Sequence, residues 1–256
     1  MLLEREEREL GVALADRTVH RAAALRREAA PNRHHMGVVA QRQHVVFLGR
    51  PGVRYEERPP PAALAPWVAV YWRIETDLDF DLRIPPDGCM DLIGDDVVGA
   101  FSRFDMARLP AGSVSQGIRF HPGGFPALFG VPADELVDLR VPLGDVAPRF
   151  RSLERLAADA LAPDPLARAV LNASDVRVIA RESGYSERQL RRRIRAATGH
   201  GPKRLMRIAR MQRLLLAGRG ESWARSAVEH GYYDEAHMVN DVRELVGATP
   251  HTLLGA

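Results

Sequence analysis

The spacing of apolar positions along the chain changes twice. From residue 166 onward, apolar residues recur every three or four positions, the period of helices that bury one face. Between residues 67 and 120 they come instead in short runs, at residues 67–74, 90–93, 97–101 and 114–120. The runs are punctuated by Pro85-Pro86-Asp87-Gly88 and later by Pro122-Gly123-Gly124. Proline fixes φ and glycine permits positive φ, so these clusters read as turns. Short strands at this spacing predict a small barrel or curled sheet. After Gly124 the pattern turns helical, with candidate helices over residues 125–129 and 152–161, and Pro163-Asp164-Pro165 reads as a linker. Residues 1–53 follow neither period. They allow one helix over residues 2–29 and otherwise read as a loosely attached extension. The expected organisation is thus an extension (1–53), a small β-rich domain (54–165) and an all-α domain (166–256), an α+β chain overall.

The helical third contains one pattern twice. In its first copy Asp175 can cap a helix in which Val176, Ile179 and Ala180 share a face. Gly184 suits the left-handed residue that closes that helix. Ser186, with Gln189 three residues on, forms a capping box that starts the next helix, which ends at Gly199. On that second helix Leu190, Ile194 and Ala197 fall on one side, while Arg188, Arg191, Arg192 and Arg195 fall on the other and Arg193 lies on the flank. Four guanidinium groups on one face repel one another unless an anionic surface lies against them. Their donor forks match guanine O6 and N7, or a phosphate. A solvated basic face is the alternative for a lone arginine run; the preceding helix, turn and cap favour DNA contact. Gly201-Pro202 then opens a connecting helix over residues 203–216, with Leu205, Ile208, Ala209, Gln212, Leu215 and Leu216 on one face. Its Arg207, Arg210 and Arg213 are expected to be solvated or paired with acids. The second copy runs from Trp223 through Gly231-Tyr232-Tyr233-Asp234 to Gly247. It buries Met238, Val242, Leu245 and Val246 and exposes Ala236, His237, Asn240 and Glu244, a nearly uncharged face.

Charge sharpens this division. The chain of 256 residues carries a net +3, yet from Leu171 onward fifteen basic residues face nine acidic ones. Between Arg54 and Asp164 the balance reverses, with eleven basic and eighteen acidic residues. A basic module behind an acidic one points to double-stranded DNA as the partner of the former alone. The opening MLLEREEREL is acidic and lacks a long apolar core, no run approaches a membrane span, and Cys89 is the single cysteine. A cytoplasmic protein without a membrane partner or disulfides is expected.

The segments GYSERQLRRRIRAATGHGPKRLMRIARMQRLL (residues 184–215) and GYYDEAHMVNDVRELVGATP (residues 231–250) resemble the AraC family of transcription regulators. The resemblance covers about residues 170–254. It implies seven helices and two recognition helices that enter successive major grooves on one face of DNA. It also places Arg188, Arg191 and Arg192, and in the second unit His237 and Asn240, at base-contacting positions; Arg195 and Arg243 complete the candidate DNA-binding set. The chain departs from the family at Met238 and Val242, where phenylalanine is usual, at Asn240, where a basic residue is usual, and at Asp241, where glutamate is common. The smaller apolar pair is expected to loosen the second recognition helix. Asn240 retains the groups to read adenine.

The segments LAPWVAVYWRIE, PDGCMDLI and GIRFHPGGFPALFGVP resemble a small cupin-like domain that precedes this DNA-binding unit in some AraC-like proteins. The short, irregular stretch between Asp95 and Ser115 argues against a full barrel. Two readings stay open for its polar residues Asp87, Cys89, Asp91, Arg119 and His121. They line a pocket for a small-molecule effector, or Asp87 forms a turn, Cys89 is a small buried group, and Arg119 pairs with Asp87 or Asp91. His121 is the single histidine of residues 54–165, so no metal is expected. The leading expectation is a one-component regulator, with RNA polymerase and a second copy of the chain as further partners. An adaptor whose first domain binds protein is the alternative. Thiol or alkyl-transfer chemistry at Cys89 is a minor third reading, since nothing nearby in sequence lowers its pKa. No enzyme activity or cofactor is expected.

Overall fold

The computed structural model describes residues 39–41, 44–46, 52–173, 175–218, 220 and 222–254. Most of the extension expected over residues 1–53, including the candidate helix over 2–29, lies outside the described residues. Within it, β1 (Val39–Gln41) pairs antiparallel with β2 (His44–Val46).

A mostly-β region follows, and then a helical one. The strands are β3 (Val53–Arg58), β4 (Val68–Thr76), β5 (Phe80–Ile84), β6 (Met90–Ile93), β7 (Asp96–Val98), β8 (Asp105–Leu109), β9 (Ser113–Phe120) and β10 (Arg140–Pro142). Six of them form one antiparallel sheet in the order β10-β7-β6-β9-β4-β3, while β5 and β8 pair apart as a ribbon. With β10 and β3 at its edges, the sheet does not close by strand pairing. The apolar runs expected as strands correspond to β4, β6, β7 and β9. The run over 97–101 stops at Val98 because the chain must there pass close to Leu136: a Cβ at Gly99 would lie 1.6 Å from the Leu136 carbonyl oxygen. Strands β3, β5, β8 and β10 carry charges along much of their length and have no apolar run to announce them.

One side of the sheet packs on α1 (Gly124–Phe129), α2 (Leu143–Val146), α3 (Leu153–Asp159) and a 3-10 turn, Ala133–Glu135. Phe120 and Phe125 are wholly buried there and meet edge to face at 5.4 Å, with Leu64, Val68, Leu92 and Leu128 around them. Burial of such side chains stabilises by roughly 1.5–3 kcal/mol each.

The expected linker at residues 163–165 is a helix start. Asp164 accepts a hydrogen bond from the Leu166 amide at 3.0 Å, and Pro165 takes the first helical position of α4 (Pro165–Asn172). Then come α5 (Val176–Ser183), α6 (Glu187–Thr198), α7 (Pro202–Ala217), α8 (Trp223–Glu229), α9 (Glu235–Val246) and α10 (Pro250–Leu254). The long α7 lies between two clusters. Leu205 joins Val170, Ile179, Leu190 and Ile194 on one side; Ile208, Met211, Leu214 and Leu215 join Trp223, Met238, Val242 and Leu245 on the other. Met211 and Leu214 lie outside the single apolar face expected of α7, because this helix is covered by both helix pairs.

Candidate nucleic-acid interface

The first helix pair is built as its caps predict. Asp175 accepts from the Arg177 amide at 2.9 Å, and Ile179 and Ala180 are buried. Gly184 closes α5 at φ 71°, a conformation that penalises any side chain with a Cβ. Both halves of the Ser186–Gln189 box form, at 3.0 and 3.3 Å, and fix the first turn of α6. Leu190 and Ile194 are fully buried beneath it.

The outer face of α6 holds the arginines, and they divide into two kinds. Arg188, Arg191 and Arg192 are exposed, and among the described residues none of the three is ion-paired. Arg195 is also exposed, but its Nε lies 3.4 Å from Asp134 Oδ2 in the 3-10 turn of the β-rich region. Arg193 is held on the flank by Asp164, at 2.8 and 3.0 Å, and stacks over Tyr185. Sequence spacing had no means of finding Asp134, which lies 61 positions upstream of Arg195. Arg191 also borders a groove of about 520 Å³ whose other basic lining residues are Arg177, Lys203, Arg204, Arg207 and Arg210.

The second pair keeps the architecture and changes the chemistry. Ser222 caps α8, and Asp234 caps α9 by accepting from the His237 amide at 2.7 Å. Met238 and Val242, expected to loosen this helix, are both fully buried in the cluster around α7. His237 and Asn240 are exposed. His237 Nδ1 accepts from the Tyr233 amide at 3.3 Å, so in the neutral ring Nε2 is the donor nitrogen. Arg243 Nη1 lies 3.5 Å from Asn240 Oδ1.

Two acids of α9 pair with arginines of α7. Asp241 is buried and accepts from Arg207 at 2.6 Å and Arg210 at 3.5 Å; Glu244 binds Arg207 at 2.7 Å. Glu244 is exposed, as expected, and also pairs with the connecting helix. The Arg207 hydrogen bond holds the Glu244 carboxyl below its ordinary range, and Glu244 in turn raises the guanidinium. Arg210 also stacks over Tyr232 and donates to the Gly231 carbonyl at 3.0 Å. Arg207 and Arg210 are thus acid-paired, as expected, while Arg213 donates to the Leu171 carbonyl at 2.9 Å.

In the β-rich region the five candidate pocket residues are not equivalent. Arg119 reaches Asp91 at 3.2 Å and Asp87 at 3.5 Å, and Trp72 Nε1 donates to Asp91 at 2.7 Å. The indole can cross to β6 because Gly117 stands opposite Trp72: a Cβ there would lie 2.6 Å from the ring. Burial raises the Asp91 carboxyl; it also pulls the Arg119 guanidinium down, but the two carboxylates outweigh it and keep Arg119 charged. Asp87 accepts from the Cys89 amide at 2.8 Å, a turn closed by its own side chain. Cys89 is buried, and burial, with the Asp87 charge, raises its thiol, the opposite of what a nucleophilic cysteine requires. His121 sits half-buried at the end of β9, where its amide donates to the Trp67 carbonyl. The guanidinium of this cluster is committed to its two carboxylates.

Residues 179–256 match a family described as a helix-turn-helix domain, of AraC type, and residues 56–142 match a domain of unknown function (DUF6597), a cupin-like domain found in AraC-family regulators. No curated protein and no solved structure matches the chain.

Proposed function

We propose, from the premise that this chain is a DNA-binding transcription regulator of the AraC type, that α6 and α9 are its two recognition helices and that α6 supplies most of the affinity. The observation that carries this reading is the outer face of α6. Arg188, Arg191 and Arg192 are exposed on a helix whose entry is fixed by the Gly184 turn and the Ser186–Gln189 box. Arginine in a major groove binds guanine O6 and N7 through two parallel N–H bonds. The groove bordered by Arg191 and Lys203 supplies cations for the adjoining phosphates. On α9, the exposed His237 offers one ring donor and Asn240 an amide suited to adenine.

The β-rich region then acts on the reader by direct contact. Asp134 competes with DNA phosphate for Arg195. A small-molecule effector bound by the β-rich region would act by shifting such contacts.

The test is selection of duplexes from a random pool by the full chain, followed by titration of the selected duplex at several salt concentrations. Phosphate neutralisation releases counterions, so log K should fall linearly with log salt. A folded chain that selects no sequence and binds no duplex at low salt refutes the reading.

A further inference from the structure

The loop between β7 and β8 touches both helix pairs at the far ends of their recognition helices. The Phe101 carbonyl lies 2.9 Å from His200 Nε2, just beyond the end of α6, and the Ser102 carbonyl accepts from Arg204 at the start of α7. Two residues later the Phe104 amide donates to the Leu245 carbonyl, in the last turn of α9, at 2.7 Å. Beside it Arg83 of β5 lies over the Phe104 ring at 4.6 Å and donates to the Val246 carbonyl at 2.7 Å. The Phe104 ring sits against Gly247, so close that a Cβ on that residue would lie 2.2 Å from it. The last carbonyls of a helix have no partner within it; here, two carbonyls at the end of α9 are satisfied from the β-rich region.

The two helix pairs are also joined through α7, by Arg207 and Arg210 to Asp241. They are joined as well by the apolar packing of α7 into both clusters. The β7–β8 loop and Arg83 add a second connection, at the opposite ends of α6 and α9 from their caps. We infer that Phe104 and Arg83 are positioning residues that set the angle and distance between the two recognition helices, so that the β-rich region fixes which half-site spacing the chain accepts on DNA. Recognition of spacing then belongs to the whole chain. The inference rests on the DNA-reading function proposed above.

The experiment uses the full chain and the duplex it selects from a random pool, together with versions carrying one base pair more or fewer between the two half-sites. Each added pair displaces the far half-site by about 3.4 Å and turns it by about 35°. The unaltered chain should lose on the order of tenfold in affinity on each altered duplex, as one lost base contact would cost. Phe104→Ala and Arg83→Met should flatten the difference between spacings to about threefold or less. Arg83→Lys, which keeps a donor for the Val246 carbonyl, should restore it. If Phe104→Ala does not fold, Arg83→Met carries the comparison. Variants that discriminate spacing as strongly as the unaltered chain, or that weaken on every duplex by the same factor, overturn the inference while leaving the DNA-reading function standing. An unaltered chain that selects no duplex removes that function first, and the inference with it.

Discussion

The two helix-turn-helix units share a skeleton and differ in where their charges point. In each, a side-chain cap starts the recognition helix and a left-handed glycine, Gly199 or Gly247, ends it. On α6 the cations face out, with Arg188, Arg191 and Arg192 exposed on one side. On α9 Asp241 faces in and, with the exposed Glu244, binds Arg207 of the connecting helix. One unit leaves its cations exposed and the other uses charge to hold α9 against α7. The repeated fold therefore carries two different distributions of charge.

Asp241 is the place to break the inward half of that contrast. Its side chain is almost wholly buried, while its partners Arg207 and Arg210 are partly exposed. Breaking a buried pair costs about 3–5 kcal/mol, and solvent at the two guanidinium groups should reduce this to roughly 2–3 kcal/mol. Asp241→Ala should lower unfolding free energy by that amount in a denaturant titration. A change under about 0.5 kcal/mol would mean that the pairs are surface decoration.

A smaller effect, of opposite sign, is expected at the contact between the regions. The Asp134–Arg195 pair joins an exposed guanidinium to a partly exposed carboxylate and should contribute at most about 1 kcal/mol to stability. Asp134→Asn removes the competing carboxylate and leaves Arg195 to the DNA. Affinity at low salt should rise by up to about fivefold, and the slope of log K against log salt should steepen by up to about one ion. Unchanged affinity and slope would place Arg195 outside the DNA-binding surface.

The smallest effect concerns pH. Burial lowers the pKa of His200, whose Nε2 faces the Phe101 carbonyl. Between that lowered value and the ordinary value of about 6.5, the unfolded chain binds more protons than the folded one. His200 should therefore contribute its full stability above about pH 6.5 and lose it as the pH falls. His200→Gln should flatten the stability profile below pH 6.5; an unaltered profile would show that the histidine titrates freely.

How much of this could be read in advance depended on the range of the signal. Asp175, Gly184, Ser186 and Gln189 act on residues two to four positions away, and local spacing displayed the first unit completely. The sheet was half legible. The run 90–93 stands out because β6 is covered on both faces, with Met90 and Leu92 buried on one and Asp91 buried on the other in its pair with Arg119, whereas β3 alternates partly buried with exposed charged positions and resembles a loop. Pairings across the chain were invisible, because nothing in the spacing ties Asp134 to Arg195, or Phe104 to Leu245. Asp241 did leave a trace. It falls with Met238, Val242 and Leu245 at the spacing of one helix face, and an acid within an apolar stripe calls for a cation on the helix beneath. Composition left open how Asp87, Asp91 and Arg119 are arranged; the side-chain distances pair Arg119 with both carboxylates.

The central claim is that α6 leads and α9 follows in reading DNA. It is tested most directly by titrating one selected duplex with the unaltered chain, Arg191→Ala and Asn240→Ala side by side. Loss of a bidentate arginine contact should cost about 1–3 kcal/mol, about five- to 150-fold in affinity, and should relax preference at one or two adjacent base pairs. Asn240→Ala should cost distinctly less. An Asn240 variant that binds more weakly than the Arg191 variant would contradict the account.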